Sequence, residues 1–135
     1  MSVVYRNGLE APGSAEIFNK LNWNSFGIKR ICYHTENSTE LQIMELECQE
    51  NATYPAHFHD HEEAIQLISG ELYIELFDNN CSLSKSLKLV KPREIFIIEK
   101  GTIHKTFTGD IPARYLELKS GPISNYSTQI AKEIS

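Results

Sequence analysis

The feature that most constrains the fold of this 135-residue chain is a series of short apolar segments separated by turn signals. Turn-forming clusters such as Ser69-Gly70 and Asp78-Asn79-Asn80 interrupt the pattern every several residues. Within a segment the apolar residues alternate, so that Leu72, Ile74 and Leu76 fall on one side of a strand. Eight or nine such strands predict an antiparallel sandwich or barrel, not a βαβ fold. The expected strands, besides one carrying a histidine pair, cover residues 28–33, 41–48, 64–68, 72–77, 87–90, 94–99, 103–108 and 113–118.

The two ends of the chain are less regular than its centre. We expect an N-terminal segment over residues 1–25, a β-barrel over 26–120 and a C-terminal tail over 121–135. Ser14 is a candidate cap for a short helix over residues 15–21, and residues 128–134 are expected to form another. The N-terminal segment is richer in apolar groups than a loose tail requires. It is therefore expected to pack on the barrel or on a second copy of the chain in a homodimer.

Charge and cysteine content exclude several classes of protein. Lys and Arg total 13 against 18 Asp and Glu, a formal net charge of −5, and no basic cluster is present to bind nucleic acid or anionic lipid. No apolar run reaches membrane-spanning length, and the start of the chain does not resemble a signal peptide. The three cysteines form no CxxC motif, which favours reduced thiols and a cytoplasmic protein.

Three of the five histidines fall within five residues, between Tyr54 and Glu63. Residues at i and i+2 of a strand share a face, so His57 and His59 project together, and the same parity continues to His61 and Glu63. Imidazole nitrogens with one carboxylate suit a divalent Fe, Mn, Ni, Co or Zn ion. His104 lies about 40 residues downstream, at the start of another strand. A sheet that closes into a barrel can bring it next to His57 and His59. The absence of a nearby Cys argues against a structural zinc knuckle.

The spacing of this stretch resembles the first motif of the cupin superfamily. In that motif His-x-His is followed after three or four residues by Glu, and six residues later by Gly. Here the corresponding residues are His57, His59, Glu63 and Gly70. The resemblance covers roughly residues 40–118 and implies a double-stranded β-helix, or jelly-roll barrel, with a metal ion inside. By that resemblance the expected metal ligands are His57, His59, Glu63 and His104.

A second cupin motif ends in Pro-x-Gly-x-x-His, and Gly101 and His104 have its spacing. The chain departs from it at three places: Glu99 stands for the Pro, Arg93 for the usual opening Gly, and Thr108 for the frequent closing Asn. These differences affect the turns of the motif and leave its histidine ligand in place.

Several assignments around the ligands stay open at this point. Glu62 is an alternative to Glu63, which we prefer because parity and the spacing to Gly70 agree. His61 is a solvated turn residue, a partner of a ligand or a substitute ligand. No catalytic residue is assigned. The candidates for lining the pocket or supporting the ligands are His61, Tyr54, Phe96 and Glu99, the last of which equally fits an exposed loop.

A closer resemblance points to cupins related to the metal-binding domain of ChrR-like anti-sigma factors and to diketone-cleaving dioxygenases. It is carried by Pro55-Ala56-His57, Glu62-Glu63 and Gly70-Glu71-Leu72, with a few single residues before them. The function expected from it is a metal-dependent, dioxygenase-type enzyme acting on a small organic substrate inside the barrel. The alternatives are a non-catalytic metal- or ligand-binding (sensory) cupin and a sugar isomerase or epimerase.

Overall fold

A computed structural model describes residues 26–32, 41–120 and 128–130, and within these ranges it contains β-strands and no helix. The strands are β1 (Ile28–Cys32), β2 (Leu41–Cys48), β3 (His57–His59), β4 (Glu63–Gly70), β5 (Leu72–Phe77), β6 (Leu83–Leu89), β7 (Ile95–Ile98), β8 (Ile103–Phe107), β9 (Ala113–Ser120) and β10 (Thr128–Ile130). The described residues contain no helix long and apolar enough to cross a membrane.

The ten strands form two five-stranded antiparallel sheets. Sheet A has the order β1-β2-β9-β4-β7, and sheet B has the order β10-β3-β8-β5-β6. The chain passes repeatedly between the sheets, so that strands distant in sequence become neighbours. The all-β prediction is confirmed.

The core lies between the two sheets, where the alternation in sequence places one face of each strand. In β4 and β5 the alternate residues Ile65, Leu67, Leu72 and Ile74 are at most 1% exposed. Burying a side chain of this size stabilises the fold by about 1.5–3 kcal/mol. The same cluster takes in Ile28, Met44, Leu46, Cys48, Ala52, Leu89, Ile98, Ala113 and Tyr115.

Gly70 ends β4 at a position that no other residue type fits. Its φ is +81°, and a Cβ built on it would lie 1.8 Å from the carbonyl oxygen of Pro112. Only glycine avoids both the strained backbone and the clash. The turn signal at Ser69-Gly70 therefore marks the tight passage from sheet A to sheet B.

Two segments differ from the sequence-based expectation. Strand β6 begins at Leu83, four residues before the predicted strand, because it pairs with β5 along an edge whose residues 83–86 are exposed and show no burial alternation. Residues 128–130 form strand β10 and not the expected helix, since pairing with β3 supplies their backbone hydrogen bonds. The remainder of that helix, the helix over residues 15–21 and the rest of the segment 1–25 lie outside the described residues.

Candidate metal centre

Strands β3 and β8 of sheet B bring the three histidines together. His57 and His104 are directly opposite in the register of the two strands, and His59 shares the face of His57. All three side chains are buried and turn into the space between the sheets. One ring nitrogen from each lies within 4.8 Å of the others, close enough for a single ion to contact all three.

Glu63 reaches this cluster from the other sheet. Residues 60–62 carry the chain from the end of β3 to the start of β4, and Glu63 is the first residue of β4. Its Oε2 atom lies 3.1 Å from Nε2 of His59 and 3.7 Å from Nε2 of His104. Glu63 is 2% exposed, whereas the side chain of Glu62 is exposed at the surface.

Backbone carbonyl groups set the orientation of two of the imidazole rings. Nδ1 of His57 lies 2.8 Å from the carbonyl oxygen of Pro55, and Nδ1 of His104 lies 2.9 Å from that of Thr102. Because a carbonyl oxygen only accepts, Nδ1 of each ring carries the proton and donates it. Each ring then presents the lone pair of Nε2, as carbonyl partners of metal-ligating histidines commonly arrange.

The unsatisfied atoms of the cluster fit a cation. Oε2 of Glu63 and Nε2 of His104 are fully buried and have no hydrogen-bond partner among the residues that the structure describes. Buried polar atoms are normally satisfied, so such atoms converging on one point call for an explanation. Three imidazoles and one carboxylate form a donor set that suits Zn or a first-row ion such as Fe, Mn, Co or Ni.

Burial also keeps two of the histidines in the form that binds metal. Desolvation, with the neighbouring His104 as a smaller cause, lowers the pKa of His57 to about 3. Desolvation likewise lowers the pKa of His104 to about 4, against a smaller opposing effect of its hydrogen bond to Thr102. Both rings are therefore neutral at pH 7, so an ion does not have to displace a proton from either.

The other predicted residues lie at different distances from the histidines. The half-buried Tyr54 meets His57 edge to face, with ring centroids 5.0 Å apart. His61 is half-buried in the crossing between β3 and β4, and the half-buried Phe96 packs against the hydrophobic core. Glu99 is exposed in the turn before β8. Their roles stay predictions.

Sequence reasoning missed two charged residues on the inner wall. Glu117 and Lys119 lie on β9 on the same side as the buried Tyr115, and the Lys119 side chain is 3% exposed. The signal was parity: Ala113, Tyr115, Glu117 and Lys119 alternate with outward-facing residues. However, Leu116 and Leu118 are apolar and lie on the other face of β9, so the sequence suggests that this other face is the inner one.

Neither a family model nor a curated protein matches this chain. Solved structures do match it. The polyketide cyclase RemF from Streptomyces resistomycificus is 19% identical, with a TM-score of 0.64, and the match covers 78% of this chain and 71% of RemF.

Two further neighbours are longer proteins. The oxalate decarboxylase of Lactobacillus farciminis, in a formate complex, is 16% identical with a TM-score of 0.69, over 86% of this chain and 35% of that one. An oxalate oxidase is 17% identical with a TM-score of 0.63, over 80% and 57%. This chain thus spans about a third of the decarboxylase and rather more than half of the oxidase. At these identities the likeness establishes architecture alone, and together with the two histidine motifs it shows that the chain has the cupin-type double-stranded β-helix fold.

Proposed function

We propose that the protein is a metal-dependent enzyme, of dioxygenase type, that acts on a small organic substrate inside the barrel. The observation that carries the proposal is the convergence of three buried imidazoles and the Glu63 carboxylate, in which Oε2 of Glu63 and Nε2 of His104 lack hydrogen-bond partners among the described residues. These residues would hold a divalent ion through four protein ligands and would leave room in its coordination for a substrate, as catalytic sites do. A redox-active ion bound there would supply coordination of a chelating substrate together with reactivity toward O₂.

The chain's own residues prepare that chemistry. The carbonyl groups of Pro55 and Thr102 fix the rings of His57 and His104, so the ligand atoms need little rearrangement on binding. Glu63 contributes a negative charge, which favours the higher oxidation state of a bound ion more than a fourth imidazole would. Two of the structural neighbours are named as oxalate-converting enzymes, which supports chemistry on small oxygenated acids within this fold.

The test begins with elemental analysis of protein purified without a histidine tag. Iron or manganese at about one ion per chain supports the proposal, and no bound metal would remove its basis. Iron-loaded protein is then followed for O₂ consumption across a panel of diketones, catechols and small 2-oxo acids. We expect uptake with at least one class and its loss in His57→Ala.

Glu62→Gln is the matched control, because it removes a carboxylate next to Glu63 that is exposed at the surface. It should bind metal and consume O₂ like the parent protein. An iron-loaded parent that takes up no O₂ with any member of the panel would contradict the dioxygenase assignment.

A non-catalytic metal- or ligand-binding module is the second candidate. It is favoured by the depth of the site, since His104 and Glu63 are 1% and 2% exposed. This function predicts zinc in the purified protein, and a thermal shift with ligands but no turnover. A sugar isomerase has less support, because a sugar phosphate needs a cationic site. Arg93 and Arg114 are exposed, and Arg114 pairs with Glu45 outside the barrel.

A further inference from the structure

Strand β7 forms one outer edge of sheet A and pairs only with β4 among the described strands. The Leu67 amide donates a hydrogen bond of 3.0 Å to the carbonyl oxygen of Glu94, which makes these two residues a hydrogen-bonded pair. Hydrogen-bonded and non-hydrogen-bonded pairs alternate along antiparallel strands. Ile95 and Ile97 therefore direct their backbone N–H and C=O groups away from β4, toward the outer edge of the sheet.

The side chains on this edge are apolar and exposed. Ile95 is 58% exposed and Ile97 is 51% exposed, and β7 has no charged residue between its ends. Proteins usually protect such an edge with lysines, and β6, the outer strand of sheet B, carries the exposed Lys85 and Lys88. The two outer strands therefore differ: β6 is protected against pairing, and β7 has the features of a strand that receives a partner.

We propose that β7 pairs with β7 of a second copy of the chain, in antiparallel orientation about a two-fold axis at Phe96, and that this pairing forms a homodimer. In this register Ile95 lies opposite the partner's Ile97, and Ile97 lies opposite the partner's Ile95. The N–H and C=O groups at the two outer edges then face each other and form the hydrogen bonds of a continuous sheet. The exposed isoleucine side chains become cross-strand neighbours on the outer face of that sheet.

Charged residues on either side of β7 match in the same register. Arg93 and Glu99 are equally far from Phe96 in sequence, so Arg93 lies opposite the partner's Glu99 at both ends of the paired strands. Both residues are exposed, and neither forms a salt bridge with another described side chain. Opposite charges directly across from each other stabilise the pairing of strands.

The backbone of Arg93 supports a role for its side chain. Its φ is +76°, a conformation that glycine adopts without strain and an arginine adopts at a cost. Arg93 and Glu99 are also two of the three residues at which the chain departs from the second histidine motif. The proposed interface gives both of these residues the same function, because they carry the charges that face each other across it.

A second copy fits this edge better than the segment 1–25 or an unrelated protein does. A two-fold interface brings the same patch of both copies together, so the patch must be complementary to itself. The stretch from Arg93 to Glu99 meets this condition, with opposite charges at its ends and exposed isoleucines placed symmetrically about Phe96. Because β7 has only 4 residues, the interface is small, and we expect a dimer of micromolar affinity.

The test measures the mass of the full chain by sedimentation velocity, from low micromolar to near-millimolar concentration. The parent protein should pass from monomer to dimer over this range. Ile97→Lys should raise the dissociation constant of the dimer by about tenfold or more, because pairing would place an ammonium against the partner's Ile95. Leu83→Lys is the matched control, since Leu83 is 55% exposed on the outer strand of the other sheet, and it should dimerise like the parent protein.

Exchanged charges test the register. Arg93→Glu and Glu99→Arg should each raise the dissociation constant by about threefold to tenfold, because like charges then face each other at both ends. The double variant restores the opposite pairs and should regain most of the affinity. Within one chain the two side chains lie at opposite ends of β7, so this recovery requires contact between two copies.

A parent protein that stays monomeric throughout the range overturns the inference. A dimer that Ile97→Lys leaves unchanged also overturns it, and would place the contact on another surface or on the segment 1–25. A double variant that dimerises no better than the single ones overturns the register about Phe96. Circular dichroism and metal content should match those of the parent in every variant, because the proposed metal ligands take no part in the pairing. The proposed metal site is thus tested independently of the dimer.

Discussion

The two ends of the barrel interior are built from the same strands but have opposite characters. Along β4 the polar Glu63 comes first and the buried Ile65 and Leu67 follow. Along the antiparallel neighbour β9 the order reverses, from Ala113 at the apolar end to Lys119 at the polar end. One barrel thus has an apolar half with close-packed side chains and a polar half with histidines and charges.

The difference separates stability from function. At the apolar end, burial of apolar side chains stabilises the fold. The Cys48 thiol at this end is unreactive, because burial raises its pKa to about 12. The polar end opposes part of this stabilisation, because Oε2 of Glu63 and Nε2 of His104 are buried without hydrogen-bond partners among the described residues. Functional sites commonly contain such destabilising features. Mutations at the apolar end should therefore change the free energy of unfolding, and mutations at the polar end should change metal binding.

The largest effect is expected at the apolar end. Leu67→Ala should lower the free energy of unfolding by about 2–5 kcal/mol, because the side chain is 1% exposed and its removal leaves a cavity. Metal content per folded chain should not change. Urea unfolding and elemental analysis of the same samples check both statements. A variant that keeps its stability but loses metal would contradict the division between the ends.

The next effect is expected at the polar end. Glu63→Gln keeps the shape of the side chain but removes its charge, and should weaken metal binding by about 100-fold. At a metal concentration 100 times the parent dissociation constant, the stabilisation by metal would fall from about 2.7 to about 0.4 kcal/mol. Thermal unfolding with and without zinc measures it. Glu62→Gln should retain the full stabilisation, and an equal loss in both variants would count against Glu63 as the ligand.

A smaller effect is expected where a buried hydroxyl ties loops near the apolar end. The Thr108 hydroxyl accepts a hydrogen bond of 2.8 Å from the Ala52 amide and donates to the carbonyl of Gln49. Thr108→Val leaves both backbone groups unsatisfied and should cost about 1–3 kcal/mol, with metal affinity unchanged. Thr108→Ser keeps the hydroxyl and should cost less. A Thr108→Val protein as stable as the parent would show that the hydroxyl does not hold these loops together.

The sequence predicts the apolar end better than the polar end, for a physical reason. Alternation places Leu72 and Ile74 on one apolar face of a strand, and both are buried, because burial of apolar residues is a local pattern. His57 and His59 are found by the same parity. Parity does not explain Glu63, since β3 ends at His59 and the chain changes sheets before β4 begins. The motif spacing selects Glu63, whose Oε2 lies 3.1 Å from Nε2 of His59, and its role as a ligand stays a prediction.

Long-range pairing accounts for the features that the sequence does not reveal. Strand β10 exists through its pairing with β3, and no local pattern in residues 128–130 announces it. On β9 the outward Leu116 and Leu118 look more like core than Glu117 and Lys119 do. Only the pairing of β9 with β4 shows that the charged residues share a chamber with Glu63. Ordinary hydrophobic patterning fails at the site because the site requires polar groups inside.

The last effect is a pH dependence that the buried histidines add at the polar end. The pKa values of His57 and His104 in the folded protein, about 3 and about 4, lie below the unfolded value of 6.5. The unfolded chain therefore binds more protons between these limits, and metal-free protein should lose stability as the pH falls from 6.5 toward 4. Each histidine contributes a slope of about 1.4 kcal/mol per pH unit.

Because carboxylates elsewhere also titrate in acid, the measurement is a difference: urea unfolding of the parent and of His57→Gln at pH 7, 6, 5 and 4. The variant should lose about one proton's worth of slope, so its stability relative to that of the parent should rise as the pH falls from 6.5 toward 4. Parallel curves would mean that folding does not lower the pKa of His57, and the effect inferred from its burial would be wrong.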